Sequence, residues 1–342
     1  MKPIPPAKAE LLSIQNLKVE FQTPEGTARA VDGVSFALSR GETLGLVGES
    51  GCGKSVTALS ILDLIPRPPG RITQGRIQFD GRDLRGLDPE ELRRIRGRKI
   101  AMIFQEPMSA LNPILTIGRQ VAEPLRVHQG FSRSAARNAA LAWLEKVKLP
   151  GARMRLTDYP HQLSGGMRQR VMIAMAMVCR PELLIADEPT TALDVTIQAQ
   201  ILALIQEFKT SLSMAVLLIT HDMGIIAQHA SRVLVMYAGE IVEEAPTASL
   251  FTHPLHPYSW GLLNSIPRLD LAEAQPLQEI PGIVPSLTTP LTGCKFAARC
   301  PHVFGRCRRE HPGLLMETAS HQARCWLLVH PERRKARRRS HE

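Results

Sequence analysis

The sequence predicts an α/β fold with a parallel sheet core, an antiparallel β subdomain ahead of it, an inserted helical subdomain and a small, loop-rich C-terminal extension. Strands that alternate apolar and polar residues come first, and short, fully apolar strands separated by helical segments follow. From about residue 245 the composition shifts to Pro and His, as in HPLHPYSW, which indicates a boundary.

Alternation of apolar and polar residues marks the N-terminal strands. They read LSIQNLKVEF at 12–21, ARAVDGVSFAL at 28–38 and GRIQFDG at 75–81. In the second of them Val34, Phe36 and Leu38 share one face. A period of two is typical of half-buried strands, so we expect an antiparallel sheet here.

Fully apolar runs mark the next strands: TLGLV at 43–47, IAMIF at 100–104, LLIA at 183–186 and AVLLIT at 215–220. Such runs, flanked by helical segments, predict a parallel sheet that is covered on both faces. Residues 106–165 are charged and helix-prone, and they predict a helical insertion.

Length and composition favour a globular protein of two domains. The chain has 342 residues, of which 44% are hydrophobic and 22% charged, and it has no apolar run of 18 residues. The start, MKPIPPAKAELLSIQ, has prolines where a signal peptide needs an apolar region. We therefore expect a cytoplasmic chain with reduced thiols.

The net charge of +10 is concentrated near the C-terminus. Residues 291–342 hold 12 Lys and Arg against 4 Asp and Glu, so that this segment accounts for +8. The run ERRKARRRS at 332–340 is typical of a solvated, disordered end, and weak attraction to anionic lipid or nucleic acid is the other interpretation.

A phosphate-binding loop follows the first apolar strand. The segment GESGCGKS at 48–55 fits GxxxxGK[ST] between a strand and a helix, the context in which this motif is specific. Its glycines let backbone N–H groups wrap phosphates at the helix N-terminus. Lys54 is expected to reach the β- and γ-phosphates and Ser55 to bind Mg²⁺, while Cys52 is a small filler.

The other apolar strands also end in polar groups. Asp187 and Glu188 follow LLIA, Gln105 follows IAMIF, and His221 follows AVLLIT. Ligands of open α/β sheets bind at the carboxyl ends of the strands. We therefore expect Asp187 to bind Mg²⁺ through water, Glu188 to polarise an attacking water, and the other two to contact Mg²⁺, this water or the γ-phosphate.

A second anion-binding helix end reads LSGGMRQR at 163–170, and one nucleotide in one chain does not require it. With this motif the sequence resembles the ATP-binding cassette of ABC transporters, a P-loop NTPase fold with a RecA-like core. The resemblance covers residues 10–245 and includes the phosphate loop, the Q-loop at Gln105, the signature LSGGMRQR, LLIADE, the D-loop at 192–194 and the switch histidine His221.

The resemblance assigns ATP and Mg²⁺ to particular residues. Phe21 either stacks on adenine or is an ordinary strand-end aromatic. The expected ATP-binding residues are Phe21, Gly48, Glu49, Ser50, Gly51, Cys52, Gly53, Lys54, Ser55 and Val56. Catalysis is assigned to Glu188, His221 and Gln105. Mg²⁺ is assigned to Ser55, Gln105 and Asp187.

Two cassettes of this family pair head to tail around two ATP molecules. The residues expected to contact the ATP of the opposite subunit are Ser164, Gly165, Gly166 and Gln169, beside the D-loop residue Asp194. The second cassette is either a paralogue or an identical chain.

Further segments resemble the ATP-binding subunits of bacterial dipeptide, oligopeptide and nickel importers. They are FQEPMSALNP at the Q-loop, HPYSWGLL at 256–263 and IPGIVPSL at 280–287. This resemblance implies an ATPase at residues 10–250 and an importer-type extension at 251–342. It also implies two permease subunits, an extracytoplasmic solute-binding protein and a peripheral position on the cytoplasmic face of the bacterial inner membrane.

Four of the six cysteines lie in the last fifty residues, at Cys294, Cys300, Cys307 and Cys325. Subunits of the resembled group carry this Cys-x5-Cys-x6-Cys-x17-Cys pattern. Four thiolates suit a four-iron four-sulfur cluster or Zn²⁺, and the wide spacings favour the cluster over the tight knuckles typical of zinc. Four unliganded thiols are the remaining interpretation.

Two other classes of protein are alternatives to an importer subunit. A soluble cassette ATPase of repair or translation type is expected to carry a coiled-coil insertion or two cassettes, and the sequence has neither. A metal-stabilised nucleic-acid-binding module leaves the ATPase motifs unexplained. We therefore expect no nucleic-acid partner.

Overall fold

The computed structural model describes residues 10–106, 110–191, 193–265, 279–289 and 291–330. The basic run at 332–340 and Ala192 of the D-loop lie outside these residues. Compact packing divides the chain into two units. The first contains the described residues up to Leu12, Ala37–Thr43 and Gln78–Ile219, and the second contains Ser13–Phe36, Leu44–Ile77 and the described residues from Thr220 onward.

Strands and helices alternate along the described chain. The strands are β1 (Glu10–Thr23), β2 (Gly26–Ser39), β3 (Thr43–Val47), β4 (Gly70–Phe79), β5 (Arg82–Asp83), β6 (Ile100–Ile103), β7 (Leu183–Asp187), β8 (Ala215–Ile219), β9 (Arg232–Tyr237), β10 (Glu240–Pro246), β11 (Leu315–Thr318) and β12 (His321–Ala323). The helices are α1 (Lys54–Ile61), α2 (Pro89–Ile95), α3 (Ile117–Gln129), α4 (Arg133–Lys146), α5 (Ala152–Arg155), α6 (Gly165–Met177), α7 (Val195–Leu212), α8 (Met223–His229), α9 (Thr247–Thr252), α10 (Pro257–Asn264) and α11 (Gly305–Arg309).

The first unit is built on the parallel strands β6, β7 and β8, in that order. Ile100 pairs with Leu183, and Leu183 pairs with Ala215. All three strands are buried along their whole length, as their continuous apolar sequences predict. Helices α3, α4 and α5 occupy part of the segment predicted to be a helical insertion.

The helices of the first unit share an apolar core. Helix α3 packs against α4, and both contact α6. The Trp143 ring on α4 lies 5.5 Å from the Phe208 ring on α7, measured between centroids. The N-terminus of α7 is capped by Asp194, whose carboxylate accepts a hydrogen bond from the Ile197 N–H at 2.9 Å.

The second unit is built on β3, which pairs in parallel with β9, so that Val47 lies beside Val235. Strand β10 continues this sheet as the antiparallel neighbour of β9. Strand β12 pairs antiparallel with β10, and β11 pairs antiparallel with β12. The C-terminal extension therefore continues the sheet of this unit, which its loop-rich composition did not predict.

The N-terminal strands form a separate sheet in which β1 lies between β2 and β4. Leu17, Val19, Val34 and Leu38 are fully buried, in agreement with the predicted alternation. The division into domains near residue 250 stays a prediction. No described helix combines the length and the apolar character that a membrane span requires.

Candidate functional site

The phosphate loop of the second unit runs from the end of β3 to the start of α1. Gly48, Gly51 and Gly53 have φ angles of 154°, 78° and 108°, which side chains rarely adopt. A Cβ atom on Gly48 would lie 2.2 Å from the Met236 carbonyl oxygen, and one on Gly53 would lie 2.3 Å from that of Ala30. Glycine is therefore required at both positions for conformation and for space.

Lys54 closes this loop over its own backbone. Its Nζ donates hydrogen bonds to the carbonyl oxygens of Gly48 at 2.8 Å and Glu49 at 2.9 Å. The residue is only 5% exposed, so its charge is held inside the loop. Glycines with left-handed backbone and an enclosed ammonium group form a concave site that suits phosphate oxygens.

The remaining predicted loop residues differ in exposure. Ser50 is exposed, and Ser55 and Val56 are half-buried. Cys52 is fully buried, and burial raises the pKa of its thiol although Lys54 acts in the opposite direction. The thiol is therefore protonated at neutral pH. Phe21 is half-buried and packs against Gly70, where an added Cβ would lie 2.7 Å from the ring.

The first unit brings Gln105 and Glu188 together. Glu188 follows the buried strand β7, and its Oε2 accepts hydrogen bonds from Gln105 Nε2 at 3.2 Å and Thr191 Oγ1 at 2.8 Å. Asp187, one residue earlier, is 3% exposed. The sequence analysis did not identify Thr191 as a site residue. The feature that points to it is its position three residues after Glu188, in a turn closed by a hydrogen bond from the Thr191 N–H to the Glu188 carbonyl oxygen.

His221 lies in an exposed turn of the second unit, directly before α8. The next residue, Asp222, caps this helix and accepts hydrogen bonds from the N–H groups of Gly224 at 2.7 Å and Ile225 at 3.2 Å. The cap fixes the path of the chain on which His221 stands.

The signature residues and the D-loop residue meet in the first unit. Ser164 is the N-cap of α6, and Ser164, Gly165 and Gly166 line an open cavity of about 990 Å³ together with Asp194. Ser164 and Gly165 are exposed, so the N–H groups at this helix end face an accessible space.

Gln169 differs from the other predicted signature contacts. Its side chain is 2% exposed and its Nε2 donates a hydrogen bond to the carbonyl oxygen of Pro189. The prediction that Gln169 contacts the nucleotide of a second subunit does not fit this burial. The Gln169 side chain instead supports the turn that follows Glu188, because the carbonyl that it binds belongs to Pro189, the residue directly after Glu188.

The four C-terminal cysteines of the second unit line one cavity of about 20 Å³. Cys307 and Cys325 are buried, none is in a disulfide, and the Cys294 N–H donates to the Cys307 carbonyl oxygen at 2.8 Å. Four sulfur donors are of the chemical type that a thiolate-bound metal group uses. Among the described residues, however, no three potential ligands have the spacing of a metal site. Burial raises the pKa of the Cys294 thiol to about 11.

Comparisons with known proteins agree with these features. The family profile "ABC transporter" matches residues 31–191, and "Oligopeptide/dipeptide transporter, C-terminal region" matches residues 242–307. The chain is 52% identical over 316 residues to the probable peptide ABC transporter ATP-binding protein y4tR of Sinorhizobium fredii, covering 92% of this chain and 94% of that protein.

Two proteins of Bacillus subtilis are similarly close. Identity to the dipeptide transport ATP-binding protein DppD is 54%, with 93% of this chain and 95% of that protein covered. Identity to the oligopeptide transport ATP-binding protein OppD is 47%, with 94% and 90% covered.

A solved structure confirms the predicted fold class. The ATP-binding cassette MJ0796, a dimer bound to ADP and phosphate, superposes with a TM-score of 0.63 at 29% identity and covers 69% of this chain and 99% of its own. The chain belongs to the family of ATP-binding subunits of dipeptide and oligopeptide ABC transporters.

Proposed function

We propose that this chain binds and hydrolyses ATP to drive the import of dipeptides, oligopeptides or a related small solute through partner permeases. The observation that carries the proposal is a sequence identity of 47% to 54%, over nearly the whole chain, to proteins named for peptide transport. As the resemblance implies, the chain acts on the cytoplasmic face of the bacterial inner membrane, with a second cassette, two permeases and a solute-binding protein.

The residues predicted from the sequence have different roles in this reaction. Bound MgATP provides the phosphoryl group that passes to water. Lys54 and the loop N–H groups hold phosphate oxygens, Ser55 binds Mg²⁺, and His221 contacts the γ-phosphate or the attacking water. Glu188 accepts a proton from water, while Gln105 and Asp187 bind Mg²⁺ directly or through water.

Replacement of Lys54 by Ala tests the phosphate loop. We expect the Kd for MgATP to rise at least about tenfold, because one charge-assisted hydrogen bond to the phosphates is lost. Lys99→Ala is the control, since Lys99 is a half-exposed surface lysine that pairs with Glu182 at 3.3 Å. If the wild-type and Lys54→Ala chains bind MgATP with equal affinity at equilibrium, this loop is not the nucleotide-binding site.

We further propose that Cys294, Cys300, Cys307 and Cys325 bind a four-iron four-sulfur cluster, with one zinc ion as the alternative. All four line one cavity in a segment with few large apolar side chains. Metal–thiolate bonds supply folding free energy that a small core lacks, so the group is structural.

Elemental analysis of anaerobically purified protein distinguishes the occupants. We expect about four iron atoms and four sulfide ions per chain, with a broad absorbance band at about 400 nm. Cys300→Ser should lose the metal and render residues 291–330 sensitive to protease, while the control Cys179→Ser keeps it. One zinc without iron establishes the alternative, and no metal after reconstitution contradicts both.

A further inference from the structure

Glu49, in the phosphate loop, is held through every polar group that it has. Its carbonyl oxygen accepts hydrogen bonds from Lys54 Nζ at 2.9 Å and from the Cys52 N–H at 3.3 Å. Its own N–H donates to Tyr258 Oη at 2.8 Å. Its carboxylate accepts two hydrogen bonds from the Arg299 guanidinium, at 2.6 and 2.9 Å. The side chain at this position is not specified by the GxxxxGK[ST] motif.

Two of these partners lie in the C-terminal extension. Tyr258 lies in α10 and is fully buried, and Arg299 directly precedes Cys300. Both belong to the same compact unit as the phosphate loop. The extension therefore contacts the loop through two side chains that are more than 200 residues away in sequence, separated from Glu49 by 209 and 250 positions.

Arg299 is itself fixed in one orientation. Its Nε donates to the Pro281 carbonyl oxygen at 2.9 Å and its Nη2 to that of Ile280 at 3.1 Å. The guanidinium carbon lies 5.8 Å from the centre of the Tyr237 ring, and the residue is 8% exposed. A guanidinium that is already anchored loses little side-chain entropy when it binds a carboxylate, so the contact with Glu49 is rigid.

The bidentate pair is of the strong kind. Two parallel hydrogen bonds between ionised groups fix direction as well as distance, and burial of the Arg299 side chain, which is 4% exposed, reduces screening on its side of the pair. The hydrogen bond to Glu49 raises the pKa of Arg299, although burial acts in the opposite direction. Removal of the guanidinium leaves a carboxylate without its partner at the first turn of the loop.

We propose that Arg299 and Tyr258 are positioning residues, which hold the phosphate loop in its nucleotide-binding conformation from the C-terminal extension and so raise the affinity of the chain for MgATP. A loop without these anchors has to be ordered by the nucleotide itself, and that cost appears as lost affinity. Neither residue replaces a group assigned to hydrolysis. The proposal rests on the proposed function of residues 48–55 as the phosphate loop.

The principal test compares MgATP binding by the full-length chain with steady-state kinetics of the assembled transporter. Arg299→Gln should raise both Kd and KM about tenfold and leave kcat within about twofold. Arg299→Lys keeps the positive charge but lacks the paired N–H donors of the guanidinium, so it should recover part of the affinity for MgATP. The control is Arg309→Gln, because Arg309 is an exposed arginine of the same extension at the end of α11.

Thermal unfolding shows whether Arg299→Gln folds. Two further variants provide the test if it does not. Tyr258→Phe removes one hydroxyl and should raise Kd about threefold, and Glu49→Gln weakens the same ion pair from the loop side. Adding Glu49→Gln to Arg299→Gln should raise Kd by less than the product of the two single fold-changes, since both substitutions act on one contact.

An unchanged Kd in folded Arg299→Gln overturns the proposal. If that variant does not fold, an unchanged Kd in both Tyr258→Phe and Glu49→Gln overturns it instead. A roughly tenfold fall in kcat at unchanged KM in Arg299→Gln also overturns the proposal, because the residue then acts on hydrolysis rather than on affinity. Lys54→Ala separates this inference from the proposed function. Weak binding there with normal binding in Arg299→Gln contradicts the inference alone.

Discussion

Glu188 is held in place by backbone and side-chain contacts together. Its φ angle is +46°, which is uncommon for a residue with a side chain, and its N–H donates to the Ile219 carbonyl oxygen at 2.9 Å. Gln105 and Thr191 then fix one carboxylate oxygen. Backbone strain at such a residue persists only where the surroundings impose it, which fits a residue positioned for chemistry.

The Glu188→Gln variant should bind MgATP normally and turn over at least about a hundredfold more slowly. An amide accepts the hydrogen bonds of Gln105 and Thr191 but does not accept a proton from water. Equilibrium binding and phosphate release in the assembled transporter measure the two effects. The control is Glu182→Gln, because Glu182 directly precedes β7 and pairs with Arg40 and Lys99. Turnover near that of the wild type would exclude Glu188 as the base.

Strand β10 is the element that joins the extension to the sheet of the second unit. The Glu243 carboxylate on this strand is 0% exposed and accepts hydrogen bonds from the N–H groups of Leu255 and His256, both at 2.7 Å. It also lies 2.8 Å from His321 Nε2 on β12. A buried carboxylate with this many partners ties the two strands and the start of α10 together.

Lys295 makes a second connection of the same kind. Its Nζ lies 3.0 Å from carboxylate oxygens of both Asp32 and Glu240. Burial by itself raises the pKa of these two carboxyls, but Lys295, with Lys18 at Asp32 and His311 at Glu240, lowers the pKa of each below its ordinary value. A carboxyl with a lowered pKa stabilises the fold above its ordinary pKa and loses this contribution as the pH falls.

Lys295→Met should therefore lower the free energy of unfolding by about 2 kcal/mol at neutral pH. The difference from the wild type should shrink as the pH falls below about 4, because the carboxyls of the unfolded chain take up protons there and those of the folded wild type do so only at lower pH. Urea unfolding across this pH range measures it. The surface variant Lys99→Met should show a much smaller loss, and a difference that does not change with pH would contradict this account of the network.

At the scale of the whole molecule, each unit presents one helix end suited to anions. The second unit has the phosphate loop before α1, and the first has the signature before α6. The solved relative MJ0796 is a dimer. The head-to-tail pairing implied by the resemblance gives the signature a role, because its exposed helix end then meets the nucleotide of a second cassette.

Ser164→Arg tests this pairing. Ser164 is exposed beside an open cavity, so an arginine there is accommodated in the chain itself, and MgATP affinity should stay within about twofold of the wild type. In a complex that carries the change in both cassettes, dimerisation driven by ATP should be lost, and turnover with it. Size-exclusion chromatography and phosphate release report the two effects.

The matched variant Ser134→Arg adds the same side chain at an exposed position of α4 and should behave as the wild type. ATP-driven dimerisation and turnover that persist in Ser164→Arg would contradict the sandwich arrangement.

The sequence by itself determined most of the strands up to residue 220, the glycine-rich loop after β3 and the family of this protein. Burial on both faces forces strands such as β6, β7 and β8 to be continuously apolar, and a loop that wraps phosphates requires glycines at fixed spacing. These constraints act over a few consecutive residues, so they are visible in one dimension. The same rule about strand ends placed Gln105 and Glu188 at one edge of the sheet, and their side chains are joined by a hydrogen bond.

Only the tertiary structure decided which distant side chains meet. No local pattern reveals that Arg299 binds Glu49, 250 residues earlier, or that Gln169 is buried under the turn after Glu188. The four cysteines, which the sequence analysis had already grouped as one set, line one cavity in the structure. Long-range hydrogen bonds depend on where separate elements pack, and an arginine or glutamine that makes such a contact looks in sequence like any surface residue.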